Sequence, residues 1–229
     1  MADPRETALI TGASAGIGED MARLFARDGY DLVLVARTAS KLEALAAELS
    51  KQHAVRVVVI AEDLTDAEAP ARIAARLDAD GLVVSALVNN AGFGQRGQFT
   101  TIAWDVEQRM IQLNVVSLVH LTKLLLPGML SRGRGRVLNV ASTAAFQPGP
   151  GMAVYYATKA FVLSFSDALA TEVAGSGVTV TTLCPGPTAT GFGEAADMTE
   201  SRLFRLGVVM PSDDVAKIGY DGMRRGKGV

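Results

Sequence analysis

Residues 7–18 read Thr7-Ala8-Leu9-Ile10-Thr11-Gly12-Ala13-Ser14-Ala15-Gly16-Ile17-Gly18. This apolar run leads into a glycine-rich turn, and an amphipathic helix follows over about residues 17–28. Glycines permit a tight turn and the close approach of a ligand, and a helix N-terminus presents free N–H groups to a phosphate. A glycine turn also serves packing alone, but between a strand and a helix it predicts a phosphate-binding loop. The spacing is Gly-x-x-x-Gly-x-Gly.

Strand-like and helix-like segments alternate along all 229 residues. Further strands are predicted at residues 31–36, 55–61, 86–88, 136–140 and 178–183. The segment at 31–36 is apolar throughout, as in a parallel sheet that is covered on both faces. Because no linker or repeat interrupts the alternation, we predict one α/β domain over residues 1–229, a doubly wound parallel sheet. Ligands of such sheets bind at the carboxyl ends of the strands.

The composition excludes several classes of protein. Hydrophobic residues make up 49% of the chain and charged residues 20%, and the formal net charge is −2, so we expect neither nucleic acid nor an anionic membrane as partner. Cys184 is the one cysteine, and His53 lies far from His120, so we predict no disulfide and no metal site. No signal peptide is expected at residues 1–6 and no membrane span elsewhere, which predicts a cytoplasmic protein.

A serine, a tyrosine and a lysine form the candidate catalytic group. Ser142 follows an apolar strand, and Tyr155 opens a helix with Lys159 four residues on. Positions i and i+4 share a helix face, about 5–6 Å apart, and a neighbouring cation lowers the pKa of a phenol. The rival Tyr156 has Ala160 at i+4 and therefore no cation in register. The group suits proton transfer to or from a carbonyl or alcohol oxygen.

Two polar residues follow predicted strands at the edge where an adenosine would lie. Arg37 ends the second strand, where an acidic residue suits a ribose hydroxyl and an arginine suits a 2′-phosphate. A surface arginine with no ligand is the alternative. Asp63, followed by Leu64, is placed either to accept from an adenine amino group or to cap the helix of residues 67–79. Ala15 supplies no second cation, so the preference for a phosphorylated cofactor need not be strict.

A second ligand-facing turn and a buried amide complete the pattern. The small residues of the turn Asn89-Asn90-Ala91-Gly92 let the backbone pass close to a ligand. Asn114 lies within an otherwise apolar helical region over residues 101–131. A buried amide without a partner costs about 1–3 kcal/mol, so Asn114 is expected to have a defined partner, either backbone or an ordered water.

Together these motifs resemble the short-chain dehydrogenase/reductase family, in its ordinary, NADP-preferring branch, over nearly the whole chain. The resemblance implies the Rossmann strand order 3-2-1-4-5-6-7 and hydride transfer to or from NADP(H), with NAD(H) less favoured. It implies that Tyr155 is the acid/base, that Lys159 lowers its pKa and binds the nicotinamide ribose, that Ser142 polarises the carbonyl, and that Asn114 holds a relay water. The implied cofactor-binding residues, besides Tyr155 and Lys159, are Gly12, Ser14, Ala15, Gly16, Ile17, Gly18, Arg37, Asp63, Leu64, Asn90, Ala91, Gly92, Pro185, Gly186, Thr188 and Thr190.

One departure from the family concerns the end of the chain. The family sheet has a seventh strand after the last helix, and this chain stops at Val229, where that strand would begin. The missing strand predicts a C-terminally truncated chain with an open sheet edge, which invites association. We expect a homodimer or a homotetramer.

The function that we predict is an NADP(H)-dependent carbonyl reductase or alcohol dehydrogenase acting on a fairly apolar small molecule. The apolarity rests on five residues expected near Ser142 and Tyr155, namely Phe93, Ala144, Phe146, Met152 and Phe192. One alternative is a 3-oxoacyl thioester reductase, because the catalytic residues of the two enzymes are the same. The alternative of another class is a regulator that senses NADP(H) and performs no chemistry.

Overall fold

The computed structural model describes residues 5–189 and 209–229. Six strands form one sheet in the order β3-β2-β1-β4-β5-β6, and every neighbouring pair is parallel. The strands are β1 Thr7–Thr11, β2 Asp31–Ala36, β3 Val57–Ala61, β4 Val84–Asn89, β5 Gly135–Val140 and β6 Val178–Leu183. The doubly wound sheet and its strand order are therefore confirmed. A separate short pair joins β7 Thr188–Ala189 to β8 Met210–Pro211.

Helices cover both faces of the sheet. They are α1 Gly16–Arg27, α2 Ala39–His53, α3 Ala69–Ala79, α4 Trp104–Ile111, α5 Leu118–Ser131, α6 Ala153–Glu172 and, after residue 208, α7 Ser212–Arg224. A turn of π-helix, Gln112–Ser117, separates α4 from α5. The long helix predicted over residues 101–131 is thus three segments, because the wider turn interrupts the α-helical hydrogen bonds around Asn114.

Alternate residues of β1 enter two different cores. Ile10 packs with Phe25 of α1 and Tyr220 of α7 on one face. Leu9 packs with Ile73 of α3 and Leu121 of α5 on the other. Successive side chains of a strand point to opposite faces, and both faces are covered here, so the strand is apolar at nearly every position.

The strand order reverses between β1 and β4, and a threonine ties the ends of these two strands together. The Thr11 hydroxyl accepts hydrogen bonds from the backbone N–H groups of Asn90 and Ala91, both at 3.0 Å. It also donates to the Val88 carbonyl at 3.3 Å. Since ligands of open α/β sheets bind in the crevice at such a reversal, this tie places the glycine turn and the turn after β4 at the edge that binds ligands.

The predicted absence of a membrane span and the predicted C-terminal truncation can both be compared with the structure. Within the described residues, Trp104–Ser131 is long and apolar enough to cross a membrane by length and composition alone, although its Leu121 and Met129 are buried in the core. The absence of a membrane span therefore stays a prediction. β6 is the last strand of the sheet, and on its outer edge the Thr182 N–H donates to the Gly228 carbonyl at 2.7 Å. The single domain and the truncation also stay predictions.

Candidate active site

The glycine turn forms a cradle of backbone at the start of α1. Gly12 and Gly16 have φ angles of +67° and +55°, a region that favours glycine. A Cβ on Gly18 would lie 2.3 Å from the Gly12 carbonyl oxygen and 2.5 Å from the Asn90 side-chain nitrogen. That nitrogen donates to the Gly12 carbonyl at 3.2 Å. The turn after β4 therefore holds the glycine turn in place.

This cradle fits the diphosphate of a dinucleotide. Ala15, the residue before α1, makes no side-chain capping bond, so the first N–H groups of the helix have no side-chain acceptor at the N-cap. Ser14 and Ile17 are half-buried beside them, and Ala15 is exposed. Free N–H groups and the positive end of the helix dipole attract a phosphate.

The two residues predicted at the adenosine end lie after neighbouring strands. Arg37 follows β2, and its side chain is exposed. The Asp63 carboxylate accepts from the backbone N–H and the hydroxyl of Thr65, both at 2.9 Å. The alternative that Asp63 caps the next helix is wrong, because α3 begins at Ala69 and its N-cap is Glu68.

Leu64 has a structural role that is clear from its contacts. Its side chain is buried, and its carbonyl accepts from the Ser117 hydroxyl at 2.6 Å. This bond fastens the loop after β3 to the π-helical turn beyond α4. The loop that carries Asp63 is therefore anchored to the segment that carries Asn114.

The structure brings Ser142 and Tyr155 together. Ser142 follows β5, and its hydroxyl accepts from the Ala144 N–H at 3.1 Å at the start of a short 3-10 helix, Thr143–Phe146. The Tyr155 side chain, 7% exposed, makes a hydrogen bond with Ser142. Burial raises the pKa of Tyr155 to about 12, and the hydrogen bond to Ser142 opposes that rise. The phenol is therefore protonated throughout the neutral range.

Lys159 lies beneath the tyrosine, as the i+4 spacing predicts. Its ammonium is 5.9 Å from the centre of the Tyr155 ring and donates to the Val140 carbonyl at 2.8 Å. The residue is 5% exposed, and burial lowers the pKa of Lys159 to about 8. The expected net lowering of the Tyr155 pKa is not found in the chain alone, because the loss of solvation on burial outweighs the other effects. The role of Lys159 toward bound cofactor stays a prediction.

Asn114 is 1% exposed, and its amide has defined partners. The side-chain nitrogen donates to the Phe93 carbonyl at 2.9 Å and to the Thr158 hydroxyl at 3.1 Å, and the side-chain oxygen accepts from the Phe93 N–H at 3.1 Å. Gly92 lies against this group, since a Cβ there would be 3.0 Å from the amide oxygen and 3.4 Å from the Lys159 ammonium.

Thr158 was not predicted as a partner of Asn114. Its hydroxyl also donates to the Tyr155 carbonyl at 2.7 Å, and the side chain is buried. The sequence position of Thr158 could have indicated its place in the site. It comes three residues after Tyr155, and positions i and i+3 share a helix face.

The segment after β6 closes the site on the side of Ser142. The Pro185 carbonyl accepts from the Thr143 N–H at 2.9 Å and from the Ser142 hydroxyl at 3.4 Å. The Thr188 hydroxyl donates to the Gly186 carbonyl at 3.0 Å. Thr190, predicted here as a cofactor contact, lies outside the described residues.

The predicted apolar pocket forms only in part. Ala144, Met152 and Tyr155 belong to one buried cluster with Met110, and Phe93 packs against it. Phe146, the last residue of the short 3-10 helix, does not join them and is 62% exposed. Phe192 lies outside the described residues.

The family model for the short chain dehydrogenases matches residues 6–201. The chain belongs to this family. Membership confirms the predicted class of enzyme, an NAD(P)-dependent oxidoreductase acting on CH–OH or carbonyl groups.

Known members of the short-chain dehydrogenase family resemble the chain in sequence and structure. A short-chain dehydrogenase from Sphingobium yanoikuyae, solved in complex with NADPH, is 38% identical with a TM-score of 0.90, covering 98% of this chain and 86% of that one. A sulfoacetaldehyde reductase from Chromohalobacter salexigens is 38% identical over 91% of this chain and 84% of its own length.

Longer relatives also match. A very-long-chain 3-oxoacyl-CoA reductase from Phaeosphaeria nodorum is 40% identical over 77% of this chain. The match covers 53% of that relative, so this short-chain dehydrogenase spans only about half the length of the longer enzyme.

Proposed function

We propose that this short-chain dehydrogenase transfers a hydride between NADP(H) and a carbonyl or alcohol substrate. The observation that carries the proposal is the Ser142–Tyr155 hydrogen bond above the buried Lys159 ammonium. These groups lie at the carboxyl ends of β5 and β6, the edge of the sheet that also holds the glycine cradle. A sensor of NADP(H) needs the cradle but has no need of this catalytic group.

The preference for NADP(H) is supported by charge at the end of β2. Arg37 is exposed there, and the residue before it is Ala36, so no carboxylate at the strand end competes for a ribose hydroxyl. A guanidinium suits the 2′-phosphate of NADP(H). The Sphingobium relative was solved with NADPH. NAD(H) remains the less favoured cofactor.

In the direction of reduction, Tyr155 donates a proton to the substrate oxygen. Its raised pKa keeps the phenol protonated at neutral pH, which suits an acid. The Ser142 hydroxyl releases its long bond to the Pro185 carbonyl and donates a second hydrogen bond to the same oxygen, and bound NADPH supplies the hydride. The Lys159 ammonium stabilises negative charge left on the tyrosine. The reverse reaction needs the phenolate, which the positive charge of oxidised nicotinamide favours.

Asn114 completes the proposed proton path by holding a water. Both hydrogens of its amide are already donated, to Phe93 and to Thr158. A water therefore donates to Asn114 and does not accept from the amide. The side-chain oxygen has a second lone pair available for this bond, because within residues 5–189 and 209–229 it accepts one hydrogen bond, from the Phe93 N–H.

The substrate that we propose is a small or medium-sized carbonyl compound with an apolar body, which Met152 and Ala144 would contact. A 3-oxoacyl thioester is the second candidate, and the 40% identity to a very-long-chain 3-oxoacyl-CoA reductase favours it.

The proposal also covers the oligomeric state of the protein and its cellular location. We propose a homodimer or homotetramer, supported by exposed apolar side chains on the helices, including Phe161 at 44% and Val116 at 43%. A cytoplasmic location stays a prediction.

The test is NADPH oxidation with a panel of ketones, aldehydes and 3-oxoacyl thioesters, with NADH in parallel. We expect turnover with NADPH and slower turnover with NADH. Saturation by 3-oxoacyl thioesters at concentrations where simple ketones are not turned over would select the second candidate. Tight NADPH binding with no turnover across the panel would contradict the reductase and favour the sensor.

A further inference from the structure

A small cavity lies beside the candidate catalytic tyrosine, on the side formed by α4 and the start of α6. Its volume is about 20 Å³, which is room for one ordered water or one small polar group. Its walls include Gln95, Ile102, Glu107, Met110, Met152 and Tyr155. Among the described residues that line it, Glu107 is the charged one. The mechanism proposed above does not use the Glu107 carboxylate.

Glu107 is buried, yet its carboxylate has no partner among the described residues. The residue is 4% exposed, and no hydrogen bond or ion pair within residues 5–189 and 209–229 engages its side chain. The neighbouring acid of the same helix behaves differently, because Asp105 is exposed and its carboxylate accepts from Arg109 at 3.3 Å. The Gln95 amide in the cavity wall donates to the Arg96 carbonyl and not to Glu107.

The position of Glu107 on its helix directs it toward the site. Met110 is three residues further on and packs in the cluster that contains Tyr155. Residues three apart share a helix face. Within the described residues, the polar side-chain atoms that are fully enclosed and have no partner belong to Asn89, Thr181 and Thr182. The Glu107 oxygens also have no partner but are not among these atoms, so they are not fully enclosed in the core. They retain access to the cavity.

A buried carboxylate without a partner is unfavourable, because it loses its hydration and gains no compensating hydrogen bond. An oxygen pair held in this way is an acceptor for a donor group that enters the cavity. The apolar walls exclude competing donors, since the lining residues besides Gln95 and Tyr155 carry no side-chain donor.

We propose that Glu107 is a specificity-determining residue that binds a hydrogen-bond donor, a hydroxyl or an ammonium group, on the carbonyl substrate. The inference rests on the proposed function, in that Tyr155 at one wall of the cavity contacts the reacting oxygen. It narrows the substrate class from an apolar ketone to an apolar ketone that carries one donor group on its body.

Binding to the NADP⁺-loaded enzyme tests the inference without turnover. The probes are acetophenone substituted in the meta or para position with ethyl, hydroxymethyl or aminomethyl, which match in size and differ in donor. Calorimetry should show that wild-type enzyme binds a hydroxymethyl or aminomethyl compound about tenfold tighter than its ethyl match, as a hydrogen bond to a charged acceptor provides. Glu107→Leu should remove or invert that preference.

Glu107→Gln separates the two donors. An amide oxygen still accepts from a hydroxyl but has no charge to attract an ammonium, so the variant should keep a preference for hydroxymethyl and lose one for aminomethyl. The matched control is Asp105→Asn on the exposed face of the same helix, which should leave every affinity unchanged. Equal affinities for all probes in wild-type enzyme, or no binding, would overturn the inference.

Thermal unfolding gives a second readout that a structural role would not produce. Removing an unpaired buried charge should raise the Tm of the Glu107→Leu enzyme, because leucine adds no polar group, whereas a lower Tm would mean that the carboxylate is already satisfied and would contradict the proposal. Parallel NADPH oxidation keeps the two proposals apart. A donor preference in binding without any turnover would refute the reductase and leave the Glu107 site standing.

Discussion

The two halves of the sheet differ in how they present chemistry. In the cofactor half, residues 7–64, the glycine cradle is backbone, and the polar side chains buried among the described residues are Thr7 and Thr11. In the catalytic half, residues 84–189, the interior is rich in polar side chains, among them Asn89, Asn114, Asn139, Lys159 and Ser166.

Hydrogen bonds between distant segments hold the catalytic half together. The Asn89 amide donates to Asn139 at 2.9 Å and to Thr122 at 3.0 Å, and the Asn139 amide donates to Ser166 at 2.9 Å. In the cofactor half the cradle is shaped by the close approach of backbone at a few glycines, and the Asn90 side chain of the other half donates to it. Substitutions at the glycine cradle should therefore act through sterics, whereas substitutions in the interior of the catalytic half should act through charge and hydrogen bonding.

The largest effect is expected in the catalytic half, at the phenol. Tyr155→Phe removes the proton donor, and general acid catalysis contributes about 10²–10⁴-fold, so kcat should fall by about a thousandfold. The dissociation constant of NADPH, measured by fluorescence, should stay nearly constant. Tyr156→Phe is the matched control, because Tyr156 is adjacent but has no lysine at i+4. More than a few per cent of wild-type activity in Tyr155→Phe would remove this residue from the mechanism.

A steric change in the cofactor half should have the next largest effect. In Gly18→Ala the new Cβ would lie 2.3 Å from the Gly12 carbonyl oxygen, which is backbone and cannot move without opening the turn. We expect NADPH affinity to fall by about ten- to a hundredfold, a loss of about 1–3 kcal/mol, as for other overpacked sites. Gly222→Ala is the control, since its Cβ would meet Thr181 at an ordinary 3.9 Å. Unchanged NADPH binding in Gly18→Ala would show that the cradle adapts.

A change of charge at the edge of the cofactor half should alter selectivity more than catalysis. Arg37→Asp replaces the proposed phosphate partner by a carboxylate that suits a ribose hydroxyl. The ratio of kcat/KM for NADPH over NADH should fall by about tenfold or more, the equivalent of one charge-assisted hydrogen bond. Lys51→Asp, an equal change of charge at the far end of α2, should leave the ratio constant. An unchanged ratio in Arg37→Asp would reject the phosphate assignment.

The last prediction concerns stability in the catalytic half and has no direct effect on cofactor selectivity. The folded-state pKa of Lys159, about 8, lies below its ordinary value, so between about pH 8 and 10 the unfolded chain binds more protons and the wild-type free energy of unfolding rises with pH. Lys159→Met lacks this group. The free energy of unfolding of the wild type minus that of the variant should therefore increase by about 1–3 kcal/mol from pH 7 to pH 10.

Urea unfolding at the two pH values measures this difference. The folded-state pKa of Tyr155 is about 12, so its phenol stays protonated in the folded protein over this pH range and does not contribute to the difference. A matched comparison is Lys51→Met, where the exposed lysine should produce no change of the difference with pH. The same absence of change in Lys159→Met would contradict a buried cation with a lowered pKa.

The local parts of the molecule were predictable from sequence. The apolar strands, the glycine turn, and Lys159 one helical turn after Tyr155 follow from short-range spacing and from the burial of both sheet faces. The confirmed strand order came from the resemblance to the family. The cap assigned to Asp63 as an alternative was wrong, because the helix start shifted by two residues to Ala69.

The class of fold and the family were therefore predictable, because periodicity and motif spacing act over a few residues. The tertiary structure alone decided which side chains meet. It brought Thr158 and Phe93 to Asn114, raised the pKa of Tyr155 by burial against the expected effect of Lys159, turned Phe146 outward and left the Glu107 carboxylate facing a cavity. Solvation and long-range contacts set these properties, because each depends on segments that are far apart along the chain.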